Sequence, residues 1–155
     1  MSRKLGEALA RRAELQQRLG ELRDRLRVIA LVQEGDQPAE DPQPLLNELD
    51  QVASELEHVI AAINRTNSSA RLESGRTLTD ALARRDVLGV LHGALKSVAD
   101  ATAQQQARYS RSEIRIVRTF DVAAVRARVD ELARERRELD VEIQTANWTV
   151  ELDED

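Results

Sequence analysis

Polar residues set inside an otherwise apolar helical pattern are where this 155-residue chain has chemistry to offer. Read as long helices, the sequence carries apolar seams that Arg12, Asn67, Arg85 and Arg136 interrupt. A guanidinium presents a planar fork of donors that suits carboxylates and phosphates. An arginine in a seam is therefore either satisfied by a neighbouring acid or left for a ligand. Folding the predicted segments back on one another about Pro38, Leu72 and Val117 brings Arg12, Asn64, Arg65, Asn67, Asp80, Arg84, Arg85, Asp86, Asn147 and Trp148 toward one end of a bundle. Two readings fit that cluster. One is a polar layer, with an arginine satisfied by Asp80 or Asp86 and by asparagine amides, because a buried charge without a partner is strongly destabilising. The other is a pocket for a small anion or phosphate ester, read by Arg12, Arg84 and Arg85. The structural reading ranks first, since polar seam residues commonly specify pairing.

Other chemistry is thinner. Glu55 and His58 have the Glu-x-x-His spacing of carboxylate-bridged di-iron bundles, but with Ala53, Leu56 and Ile60 on the seam both project outward. No second copy of the spacing exists, and His92 has Gly89 where its glutamate would stand. Phosphate-binding glycine loops, dinucleotide fingerprints and nucleophile elbows are missing from the sequence. With no cysteine, disulfides, thiolate nucleophiles and cysteine-held metals are excluded. The expectation is thus no catalytic residue, no metal and no cofactor. Trp148 reads as an aromatic plug at the bundle end.

One third of the residues are charged and the net charge is -5. Of 23 basic residues only Lys4 and Lys96 are lysines. The arginines interleave with acids, as in Glu131-Leu132-Ala133-Arg134-Glu135-Arg136-Arg137-Glu138, and the tail Glu151-Leu152-Asp153-Glu154-Asp155 is acidic. A nucleic-acid binder separates a basic face from its acids, so no nucleic-acid partner is expected. These are solvated helix faces with i,i+4 pairs. No apolar run approaches the ~20 residues of a membrane span, and the charged N-terminus lacks the apolar centre of a signal peptide. A cytoplasmic protein is expected.

The elements that must position these residues follow from apolar spacing. Leu5, Ala8, Leu15, Leu19, Leu22, Leu26 and Ile29 alternate by three and four, the seam of a coiled-coil-like helix over about 2–34. Asp41 and Pro42 cap and open a second helix over 42–66, with Leu46, Leu49, Ala53, Leu56, Ile60 and Ile63 on its seam. Thr77 and Asp80 open a third, 78–110, and Asp121 caps a fourth, 122–146. Between them Glu113 to Phe120 is rich in β-branched residues and reads as a short strand, with a second at 148–152. The fold class is mainly α: one domain spanning 1–155, an antiparallel long-helix, coiled-coil-like four-helix bundle with one or two short strands. A fourth helix of about 25 residues is roughly 38 Å long and holds the two strands apart. Their unpaired backbone groups would then need another subunit, so a homo-oligomer is expected.

Several stretches together resemble the septicolysin family of small bacterial helical proteins: Ala39 to Pro42, Ile63 to Asn67, Thr77 to Asp86, Tyr109 to Ile114 and Ala146 to Thr149. The resemblance spans nearly the whole chain. It implies a helical fold and brings no established activity or catalytic residue. The family name implies a thiol-dependent cytolysin. A chain without cysteine supplies no such thiol, and Arg115 and Arg118 suit the strand candidates poorly to the ~10-residue lipid-facing strands of a barrel. The leading expectation is a non-catalytic, self-associating interaction protein. An anionic-ligand-binding or enzyme site at the arginine and asparagine cluster comes second and membrane lysis last.

Overall fold

The computed structural model describes residues 3–108 and 116–154, without the side chains of 104–108. Four long helices fill most of it: α1 (Leu5–Ile29), α2 (Pro42–Ser69), α3 (Leu78–Arg108) and α4 (Val122–Thr149). Pairing between extended segments is limited to two isolated bridges among the described residues, Lys4 to Glu151 and Arg71 to Thr77. By contact density the chain divides into two compact units, Met1–Ala70 with Ala146–Asp155, and Arg71–Thr145.

In the first unit α1 keeps its seam. Leu5, Ala8, Leu15, Leu22 and Ile29 are buried, with Leu19 and Leu26 half-buried between them. The seam of α2 is rotated by one residue from the expected stripe at 46, 53 and 60. Leu45, Val59, Ile63 and Thr66 are buried, whereas Leu46 and Ile60 are 43% and 36% exposed. Both stripes share Leu49, Leu56 and Ile63, so spacing alone does not separate them. The cluster of Leu22, Ile29 and Leu45 with Leu26, Leu49 and Val52 does.

A charge ladder runs along the edge of this seam. Arg11 Nε donates to Glu55 at 2.8 Å, Arg18 Nε to Glu48 at 2.7 Å and Arg25 Nε to Glu40 at 3.1 Å. The arginines stand seven residues apart on one face of α1, and their partners' numbers fall as their own rise. The two helices thus form a hairpin. A buried leucine contributes about 1.5–3 kcal/mol whereas exposed ion pairs add little, so the seam holds the pair and the ladder aligns it. α1 stops at Ile29 rather than near residue 34, because the ladder leaves no facing turn of α2 to cover Leu31 or Val32. Asp41 caps α2 by accepting from the Gln43 N–H at 3.0 Å, with Pro42 in the first turn.

The C-terminal segment closes the first unit. The strand expected at 148–152 is not formed: Trp148 and Thr149 belong to the last turn of α4, where Val150 N–H donates to the Ala146 carbonyl at 2.8 Å. The chain then crosses the start of α1. Leu5 N–H donates to the Val150 carbonyl at 3.0 Å and Leu152 N–H to the Arg3 carbonyl at 2.8 Å. This segment therefore needs no partner subunit to satisfy these groups. Of the strand expected at 113–120, residues 113–115 lie outside the described residues and 116–120 are irregular. Gly6 makes the crossing possible, since a Cβ there would stand 3.0 Å from the Asn147 carbonyl and 3.1 Å from the Trp148 ring.

Thr66 pins the tail. It is 1% exposed, its hydroxyl donates to the Ala62 carbonyl at 2.8 Å, and it accepts from the Asp153 N–H at 2.9 Å. Replacing Thr66 by Val strands that amide, and we expect a loss of about 1–3 kcal/mol, read as a melting temperature several degrees lower. Thr66→Ser, which keeps the hydroxyl, should lose distinctly less.

Arg25 holds the Glu40 carboxyl below the ordinary glutamate value of 4.5, chiefly through its hydrogen bond. The unfolded chain takes up that proton more readily than the folded one, so the pair's contribution is complete above the ordinary value and is lost as pH falls through the lower folded value. The melting temperatures of the native chain and Arg25→Gln should accordingly differ at neutral pH and converge in acid. A difference that persists in acid assigns the effect of Arg25 to packing.

Candidate anion-binding cleft

Six of the ten residues expected to cluster lie in the first unit. Arg12 occupies a seam position of α1, half-buried, with no ion pair or hydrogen bond among the described residues. The ladder sets it level with about residue 54, some ten residues or roughly 15 Å along the helix from Asn64. The expected level was wrong because the 30–41 connection doubles back along α1, bringing Glu40 to Arg25. Arg65 donates to the Asp153 carbonyl at 3.3 Å, and the Asn64 carbonyl accepts from Ser68 at 2.9 Å. Asn67 and Asn147 are half-buried. Trp148 does not plug the interior: one face of its ring leans on Gly6 and the residue is 65% exposed. The polar residue that is fully enclosed here is Thr66, the expected last residue of the second helix, which pattern reading did not single out.

The other four lie in the second unit. Asp80 N–H donates to the Thr77 hydroxyl at 3.1 Å, so this end of α3 is capped as its spacing suggests. Arg84 is not available to a ligand as expected, because its Nε and Nη2 both donate to Glu135 Oε1, at 3.0 and 2.8 Å. Arg85 lies between two carboxylates. It donates to Asp86 Oδ1 at 3.3 and 3.2 Å and to Asp140 Oδ1 at 3.4 Å.

These contacts line a cleft of about 440 Å³ along α3 and α4, wholly within residues 71–145. Arg85, Asp86 and His92 come from α3, and Ala133, Arg136, Arg137 and Asp140 from α4. Arg136 continues the α4 stripe of Val125, Val129, Leu132, Leu139 and Ile143, so its backbone belongs to the seam while its head reaches water. Gly89 faces it across the seam, and even a Cβ at that position would meet the guanidinium carbon only at ordinary contact distance, 3.4 Å.

Neither Arg136 nor Arg137 has an ion pair or hydrogen bond among the described residues. With Arg85 held by Asp86 and Asp140, the cleft keeps two guanidiniums outside any ion pair and a formal excess of one positive charge over its two aspartates. Pattern reading had flagged Arg136 as a seam exception but set the level of α4 against α3 too far along, which hid Arg137, Asp140 and His92. Elsewhere Glu55 is committed to Arg11, and His58 Nδ1 donates to the Ser54 carbonyl at 2.7 Å.

Residues 12–152 match the family of unknown function DUF6847. The chain belongs to that family. It is also similar to a solved structure, the crystal structure of a functionally unknown conserved protein from Corynebacterium diphtheriae. The two are 44% identical, with 99% of this chain and 100% of that chain covered and a TM-score of 0.86. No curated protein matches. The septicolysin resemblance gains no second support from these comparisons, and no described helix is long and apolar enough to cross a membrane. Function therefore has to be argued from the cleft.

Proposed function

We propose that this is a non-catalytic helical protein that binds a small anionic group in the α3–α4 cleft. A single observation carries the reading: Arg136 stands in an apolar seam, opposite a glycine, and makes no ion pair among the described residues. A seam arginine serving only register would be expected to find its acid, as Arg84 finds Glu135. The cleft offers guanidinium donors but no hydroxyl or thiol nucleophile among its lining residues, which suits binding better than turnover. The antiparallel, coiled-coil-like bundle remains our reading of the helix pairings. The expected cluster centred on Arg12 and the asparagines gives way, as the proposed site, to Arg85, Arg136 and Arg137.

Inorganic phosphate at millimolar concentration should raise the melting temperature of the native chain. Arg136→Gln combined with Arg137→Gln should remove that rise, whereas Arg12→Gln, a seam arginine of the other unit, should keep it. A native chain indifferent to phosphate overturns the reading.

Self-association is a second reading. Its original motive, two unpartnered strands, is gone for the tail, but α3 carries a stripe of Val87, Val90 and Val98 that is 57%, 75% and 45% exposed. A second copy of the chain is the occupant we infer for it. Light scattering should give a dimer that Val90→Asp converts to a single chain. A monomeric native protein at micromolar concentration rules this out.

A further inference from the structure

We infer that the anion taken by the α3–α4 cleft is the phosphate of a phosphorylated sugar or polyol, a step that rests on the anion-binding reading above. The argument begins with the two carboxylates. All three contacts of Arg85 fall on Oδ1 of Asp86 or of Asp140. Oδ2 of each is left as an acceptor without a partner among the described residues, on side chains 70% and 48% exposed. For a bare anion these two oxygens are a disadvantage, since they repel the charge that Arg136 and Arg137 attract. For a ligand with hydroxyl groups beside its anionic end they are an advantage, because a hydroxyl donating to a carboxylate makes a charge-assisted bond.

Size and lining agree. A cleft of about 440 Å³ lies in the range of small-molecule sites, roughly 300–1,000 Å³, far more room than a phosphate needs. Its lining holds no Phe, Tyr or Trp, His92 supplies a polar imidazole, and Ala133 is the one apolar side chain in it, so the remaining volume suits a polar body. Two free guanidiniums match the two negative charges of a phosphate monoester better than the single charge of a carboxylate. Arg85, held between its aspartates, fixes the acceptors rather than the phosphate.

Titration calorimetry with glucose 6-phosphate, inorganic phosphate and glucose tests this on the native chain. Glucose 6-phosphate should bind at least about tenfold tighter than phosphate, the worth of one charge-assisted hydrogen bond, and glucose alone should not bind measurably. Asp86→Asn with Asp140→Asn removes both negative charges, so a ligand hydroxyl meets a neutral amide instead of a carboxylate. That pair should shrink the preference toward unity while leaving phosphate binding equal or stronger. Equal affinity of the native chain for phosphate and glucose 6-phosphate overturns the sugar inference and leaves the anion reading standing. Failure of both to bind overturns the two together. Binding of glucose 6-phosphate that survives Arg136→Gln with Arg137→Gln places the ligand elsewhere and overturns the inference as well.

Discussion

Leucine-rich seams bury area well but register poorly, and in the first unit that difference governs everything else. Leu15, Leu22, Leu45 and Leu49 are interchangeable knobs, so sliding α1 past α2 by a heptad would cost little burial. The Arg11, Arg18 and Arg25 ladder narrows the choice. It does not end it, because a heptad slip would still match two of the three arginines to glutamates. The ends remove the ambiguity: Glu40 sits where the connection doubles back, and the tail is bonded to Arg3, Leu5 and Thr66 at the other extreme. With only 2% aromatic residues, the chain has few large side chains whose shape could set the register instead.

Among the polar residues that break the apolar stripes, Thr66, Arg12 and Arg136 are each accommodated by different physics. Thr66 is enclosed and satisfied twice over, which turns a seam position into an anchor for the tail. Arg12 remains half-buried, its stem along the seam. Arg136 reaches out over Gly89 and makes no ion pair among the described residues. Only the last stands in a cleft with a second free guanidinium, and that neighbourhood, rather than the identity of the residue, is what suggests binding. Arg84 makes the contrast plain. It is the same residue type one position before Arg85 of the cleft, yet Glu135 has already satisfied it.

Much of the fold was legible from residue types. The caps at Asp41, Thr77 and Asp121 appear in the structure as the short polar side chains imply, and the four helices follow the three–four spacing. Legibility failed where two patterns were equally good. On α2 the stripe through Val52 and Val59 and the one through Ala53 and Ile60 have almost the same apolar content, and only contact with Leu22 and Ile29 selects the first. It failed again at Trp148, whose type suggested enclosure although its position beside Gly6 leaves one face in water.

Local chemistry, then, was settled by the sequence: which segments are helical, where they begin, which residues interrupt their apolar faces, and that no thiol chemistry is open to the chain. Such properties depend on neighbours within a few positions, where side-chain type is enough. The tertiary structure alone decided which interruption meets a partner, because that depends on the level at which one helix lies against another, and a connection that doubles back moves the level by several turns without changing any residue. Arg84 with its glutamate and Arg136 without one are alike in sequence. Their difference is one of position along a facing helix.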